Sequence, residues 1–160
     1  MSKLLFMKER FKNLDYEDHD DYAYLINRKN QRRIYVEYAL PGDHIEDQSG
    51  MGINDEDHYT FRFEAQHRHF YSKEMLLDCI EAYASEKVAA IEFSEAGTNR
   101  FGGDICTSVL ADVTHQSLAS RFGHVPSQFN GMTFEIKSWN GTYDAKGIIE
   151  KTEHGYKIVQ

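Results

Sequence analysis

The sequence predicts an α+β fold, an antiparallel sheet built from hairpins with one or two helices packed on one face. Three observations carry this expectation. Tyr59, Phe61, Phe63 and Ala65 alternate with Thr60, Arg62 and Glu64, the two-residue period of a half-buried strand. Asn140-Gly141 stands between two β-rich runs, the strongest short hairpin signal, and favours a type I′ turn. After Ser72 the period changes, and Met75, Leu76, Cys79, Ile80 and Tyr83 fall on one helical stripe with Ser72 as its N-cap.

Taken in order, residues 3–13 carry Leu4, Leu5, Phe6 and Phe11, an apolar run short enough to fit either a strand or a short helix. Residues 15–21 form a dense acidic run that would repel itself inside a regular element, so an exposed loop is expected there. Residues 22–27 and 32–40 are aromatic and β-branched. The polar Arg28, Lys29, Asn30 and Gln31 between them supply a turn, giving a hairpin with Ile34, Val36, Tyr38 and Leu40 toward the core. Pro41-Gly42 stops the second strand, and the stretch to Asp57 reads as a long acidic loop.

Beyond the Ser72 helix, residues 88–93 read as a short strand and Gly97, Gly102 and Gly103 mark a flexible loop. Residues 105–122 suit a helix capped by Asp104 and closed by Gly123, with a strand to Val113 and a short helix as the rival assignment. Met132, Phe134 and Ile136 alternate on one side of the penultimate hairpin, residues 142–151 pair with them, and His154-Gly155 turns the chain into a last strand at 156–159.

Composition bounds the rest. At 160 residues the chain suits a single globular domain, 1–160, able to bury about 70% of the surface of its unfolded form. No apolar stretch approaches the length needed to cross a bilayer, and residues 1–7 are too short for a signal peptide, so a cytoplasmic location is expected. Cys79 and Cys106 read as buried thiols in a reducing compartment. A net charge of −8 sets the protein against direct nucleic-acid contact and anionic membranes, since phosphate binding depends on Lys and Arg. The skew toward Phe, Tyr, Met, Ile, Asn and Lys over Gly, Ala, Arg and Pro points to an AT-rich coding genome, as in bacteriophages and many bacteria.

Several constellations bear on chemistry. His58-Tyr59-Thr60 and His115-Gln116-Ser117 both have the form His-x-Thr/Ser, and in this the chain resembles the two-histidine phosphoesterases. The resemblance implies that His58 and His115 exchange protons while Thr60 and Ser117 hold phosphate. It covers six residues, and Gln116 replaces the apolar residue expected between the second pair. On strands each imidazole and hydroxyl would share a face, which suits general acid–base work. His67-Arg68-His69 also places two imidazoles on one strand face with His58 near, but nothing else in the sequence supplies a metal site, and surface histidines are expected. The glycines from Gly97 to Gly103 lack the Lys-Ser/Thr of a P-loop and read as a plain connection. No cofactor is implied.

Acidity is the feature with a consistent direction. Half of the 26 acidic residues lie in the first 58 positions, concentrated at Asp15, Glu17, Asp18, Asp20 and Asp21 and again at Asp43, Glu46, Asp47, Asp55, Glu56 and Asp57. Tyr16, Tyr22 and Tyr24 beside the first cluster supply amphipathic anchors of the kind interfaces favour. The expected function is therefore that of a non-catalytic acidic binding protein, which inhibits or masks a cytoplasmic partner protein with a basic surface, of inhibitor, immunity or phage anti-host type. A small phosphodiesterase using His58/Thr60 and His115/Ser117 is the alternative. Arg28, Lys29, Arg32 and Arg33 could neutralise part of the acidic patch from within.

Overall fold

The computed structural model describes residues 2–40, 57–95, 99–109, 130–153 and 155–159. Among these residues it is an α+β structure of two antiparallel five-stranded sheets and two α-helices. The chain divides into two compact units, one comprising residues 1–63 and 67–81 and the other 64–66 and 82–160.

The first unit opens with the ambiguous apolar run, which is helical: α1 spans Leu5–Arg10 and buries Met7. Lys8 and Arg10 in its last turn complement the negative end of the helix dipole. The first sheet follows as β1 (Asp15–Asp18), β2 (Tyr22–Ile26), β3 (Arg33–Ala39), β4 (His58–Phe63) and β5 (Gln66–Phe70), with spatial order equal to chain order. Register puts Ala23 opposite Val36 and Leu25 opposite Ile34, and Val36 in turn opposite Phe61. All five are fully buried, so one face of the sheet is an apolar layer. Each such side chain contributes about 1.5–3 kcal/mol relative to exposure, Ala23 less.

The turn between β2 and β3 is built from its own side chains. The Asn27 carboxamide oxygen accepts from the Lys29 amide and that of Asn30 from the Arg32 amide, while Gln31 takes a positive φ of 63°. The acidic run is not a loop. Asp15, Tyr16, Glu17 and Asp18 pair along β2, and the turn that follows is closed by Asp18, whose carboxylate accepts from the Asp20 amide at 2.9 Å. Like charges are tolerated in this strand because it is a sheet edge, where charged residues also deter pairing with other chains.

In β3, Ile34 and Val36 are buried as expected, but Tyr38 stays half-buried and Leu40 is exposed. Tyr38 sits at the sheet rim, donating its hydroxyl to Asp57 under the Lys3 ammonium, and the buried Ala39 belongs to the other face, opposite His58. The strand β5 carries no glycine or asparagine turn signal before it. Glu64 makes the tight turn instead, with φ of 51°.

The helix α2 spans Lys73–Ala84, and Ser72 caps it by accepting from the Met75 amide at 3.3 Å. Leu76, Ile80 and Tyr83 are fully buried, whereas Met75 is 60% exposed. The buried stripe follows i, i+4, i+7; Met75 lies a helical step of about 100° off its centre. Cys79, beside it, is partly exposed, as is Cys106, so neither thiol is fully buried, and the two form no disulfide.

In the second unit β6 (Val88–Glu95), β7 (Asn99–Cys106), β8 (Thr133–Lys137), β9 (Ala145–Thr152) and β10 (Gly155–Val159) form a sheet of order β10-β9-β8-β6-β7. Its core holds Ala89, Ile91, Phe93, Ile105, Met132, Phe134, Ile136 and Ile149. The expected helix from Ile105 capped by Asp104 is overturned: Asp104, Ile105 and Cys106 end β7, followed by a 3-10 turn at Thr107–Val109. Positions 110–122 lie outside the described residues. Register explains the outcome, since Gly102 and Gly103 are strand residues opposite Glu92 and Ile91 rather than a flexible loop. A side chain at Gly102 would strike the Ala65 carbonyl oxygen at 2.1 Å, so glycine permits that close approach.

The Asn140-Gly141 connection is wider than the expected two-residue turn. Gly141 donates to Ser138 O at 3.1 Å and has φ of 81°, but Asn140 does not share the positive φ that a type I′ turn requires. Asp144 accepts from the Ser138 amide, the Ser138 hydroxyl accepts from the Tyr143 amide, and the Glu86 carboxylate accepts from the Asn140 amide at 2.7 Å. Pairing resumes only at Ile136 opposite Ala145. With Trp139 buried, contacts outside the hairpin set its shape.

Candidate functional site

Alternation along β1, β2 and β3 puts Asp15 and Glu17, Tyr22 and Tyr24, and Arg33, Tyr35 and Glu37 on the face of the first sheet opposite Ala23, Leu25, Ile34 and Val36. Three tyrosines meet there. The Tyr24 and Tyr35 rings are 5.5 Å apart, Tyr22 and Tyr35 5.7 Å, and Tyr22 and Tyr24 6.0 Å at 87°. These are the tilted and edge-to-face arrangements that aromatic quadrupoles prefer. His19, from the turn after β1, stacks on Tyr22 at 4.6 Å and 11°. All three tyrosines are half-buried, with part of each ring toward solvent.

Charge on this face is largely paired. Arg28 meets Asp15 at 2.6 Å, and Glu17 receives His19 at 2.6 Å and Arg33 at 3.7 Å. The Arg33 guanidinium also lies 5.1 Å over the Tyr24 ring, and that of Arg62 5.8 Å over Tyr35. Tyr35 is pushed up to about 12, first by burial and then by the charge and hydrogen bond of Glu37, so its hydroxyl keeps its proton.

The turn at the other end of β1 differs. Asp18, Asp20 and Asp21 are exposed and bunched within four residues, and His19 is the nearest basic group in sequence. Asp18 lies below the usual carboxylate range. Its slight burial opposes this, but hydrogen bonds from the Asp20 amide, Ser2 and Tyr16 prevail, aided by the His19 charge. The sheet is thus polarised along its strands, with Arg28, Lys29, Arg32 and Arg33 at the β2–β3 turn and carboxylates at the β1–β2 turn.

Of the residues the sequence singled out, Asp15, Glu17, Tyr22 and Tyr24 share this face. Tyr16 and Asp18 point to the opposite one, where the Tyr16 hydroxyl donates to Asp18 at 3.1 Å. Asp20 and Asp21 belong to the adjoining turn, and Asp57 accepts from Tyr38 at the sheet rim. Asp43, Glu46, Asp47, Asp55 and Glu56 lie outside the described residues. Sequence reasoning missed Tyr35 and His19, whereas Arg28 and Arg33 meet Asp15 and Glu17 and so neutralise part of the acidic patch from within, as the sequence allowed. The signal for Tyr35 was present, because a hairpin turning at residues 28–31 places it directly across from Tyr24.

The histidine constellation lies on the same face of the sheet, farther across it, for register sets Thr60 opposite Glu37 and His58 opposite Ala39. His58 and Thr60 share a face of β4, both fully buried, and the Thr60 hydroxyl lies 3.2 Å from His69 Nδ1. Ring centroids separate His58 from His69 by 5.3 Å and His67 from His69 by 4.5 Å, meeting edge to face. The three imidazoles do gather, yet among the described residues no group of three or more His, Cys, Asp or Glu is arranged to hold a metal ion. His115 and Ser117 lie outside the described residues.

No described helix is long and apolar enough to cross a membrane. Comparison with protein-family models, with curated proteins and with solved structures yields no match to this chain.

Proposed function

We propose that the protein is a non-catalytic binding protein of the cytoplasm, which inhibits or masks a partner protein by docking the tyrosine face of its first sheet, and the acidic turn beside it, onto a basic surface. The observation that supports this reading best is the contiguity of Tyr22, Tyr24 and Tyr35 on a solvent-facing sheet surface next to the turn that carries the exposed Asp20 and Asp21. Half-buried tyrosines offer large, rigid contact area at low entropic cost, and carboxylates at a rim raise the rate of encounter with a cationic partner. Asp15 and Glu17 contribute less to steering, since Arg28, Arg33 and His19 already meet them.

The test is kinetic. Tagged protein should retain a partner with a basic contact surface, and the association should weaken as salt rises. Replacing Asp20 and Asp21 together by Asn should slow association, while Tyr22→Ala should speed dissociation. A partner whose binding kinetics ignore both variants docks elsewhere, and the reading is then wrong.

A second reading, a small phosphodiesterase of the two-histidine type, draws support from the shared face of His58 and Thr60. Cyclic phosphodiester hydrolysis that is lost in both His58→Ala and His115→Ala would establish it. Activity that survives either substitution would exclude that mechanism.

A further inference from the structure

We propose that Arg33 occupies, within the free protein, the place that an arginine of the partner takes in the complex, so that the tyrosine face is a guanidinium-recognition surface held by its own placeholder. The inference rests on the docking reading above and names the side chain that reading requires. Arg33 makes both contacts such a side chain would make. Its guanidinium lies 5.1 Å over the Tyr24 ring, and one of its nitrogens is 3.7 Å from a Glu17 oxygen. A plane over an aromatic ring with a carboxylate at its edge is the chemistry that selects guanidinium over ammonium, because only the former is flat, delocalised and weakly hydrated.

The placeholder is loosely held. The Arg33 side chain is 48% exposed, and 3.7 Å is long for a charge-assisted hydrogen bond. Arg28 provides the contrast on the same sheet. It binds Asp15 at 2.6 Å, and among the described residues no tyrosine ring is paired with it. Arg33 is thus exchangeable, whereas Arg28 satisfies a carboxylate in place. A partner arginine entering over Tyr24 would meet the π face and Glu17 together, and the displaced Arg33 would return to solvent.

A hexa-arginine peptide is the probe, with hexa-lysine beside it, and binding is read by isothermal titration calorimetry at low salt. Wild type should favour hexa-arginine over hexa-lysine. Arg33→Ala should bind hexa-arginine about fivefold more tightly, the scale of one exposed cation–π contact plus one surface ion pair. Arg28→Ala removes the same charge and should gain clearly less. Equal gains in the two variants would mean that charge alone acts, and would overturn the placeholder. Tyr24→Phe, which keeps the ring, should bind as wild type, and Tyr24→Ala, with its fold verified by circular dichroism, should lose the arginine preference. If Tyr24→Ala weakens binding while Arg33→Ala changes nothing, the docking face stands and the placeholder fails. If neither peptide binds wild type or Arg33→Ala, both fail.

Discussion

Gly102 offers a stringent test of how the second unit is assembled. A Cβ placed there would sit 2.1 Å from the Ala65 carbonyl oxygen and 2.9 Å from its carbon, both backbone atoms. An ordinary carbon–oxygen contact is about 3.3 Å, so Gly102→Ala requires a shift of about 1 Å between β7 and the β4–β5 turn. No flexible side chain can absorb it. Overpacking of this kind costs about 1–3 kcal/mol, and a rigid backbone obstacle places the expectation at the upper end, near 3 kcal/mol. For a chain of this size that corresponds to a fall of about 6–12 °C in Tm. Gly103→Ala is the internal control, for its Cβ would meet only Ile91 Cγ2 at 3.8 Å, an ordinary contact. Removing a glycine from a strand there should be neutral or stabilising by about 0.5 kcal/mol. Urea denaturation of both variants, with m-values compared, measures the difference. A loss at Gly102→Ala below about 1 kcal/mol, or no greater than at Gly103→Ala, would refute the close approach of the Ala65 carbonyl to β7.

Three further outcomes are expected. Glu86 is partly buried, which raises its pKa, but hydrogen bonds from the Ser138 and Thr142 hydroxyls and the Asn140 and Thr142 amides outweigh burial and leave it below the usual carboxylate range. A carboxyl depressed on folding adds stability that is present above its unfolded pKa and lost as pH falls through the folded one. Stability should therefore drop below about pH 4.5 in wild type and less steeply in Glu86→Gln, as read from urea midpoints against pH. Tyr38 is pushed up to about 12, chiefly by donating to Asp57, so Asp57→Asn should bring one tyrosine back toward the ordinary value in an ultraviolet pH titration. An unchanged titration curve would remove that hydrogen bond. Ser72→Ala, by leaving the Met75 amide without its cap, should cost about 1 kcal/mol in denaturant unfolding, and Ser72→Asp should restore it.

The candidate site was half legible. Tyr22 and Tyr24 share a face by the period of two, and the acidic run beside them is evident in the chain. That Asp15, Tyr16, Glu17 and Asp18 form a strand was not, because charge repulsion argues for a loop and only the open edge of a sheet, with Arg28 and Arg33 nearby, makes a strand tolerable. Tyr16 and Asp18 were consequently grouped with residues on the other face. His58 and Thr60 were correctly placed on one face, but the neighbour of Thr60 is His69, nine residues on, which the β4–β5 turn brings across.

The sequence by itself determined which segments are extended and which helical wherever one face meets a continuous apolar layer: Ala23, Leu25, Ile34 and Val36, the Leu76–Ile80–Tyr83 stripe with its Ser72 cap, and Met132, Phe134 and Ile136. Burial rewards a fixed period, and a period can be read from a chain. Tertiary structure alone decided the rest. Gly102 is a strand residue that lies against the Ala65 carbonyl oxygen, in space that a side chain would fill. The Asn140-Gly141 turn opened because the Glu86 carboxylate, more than fifty residues away, took the Asn140 amide. Both outcomes depend on a single long-range neighbour, and no local pattern records the position of such a neighbour.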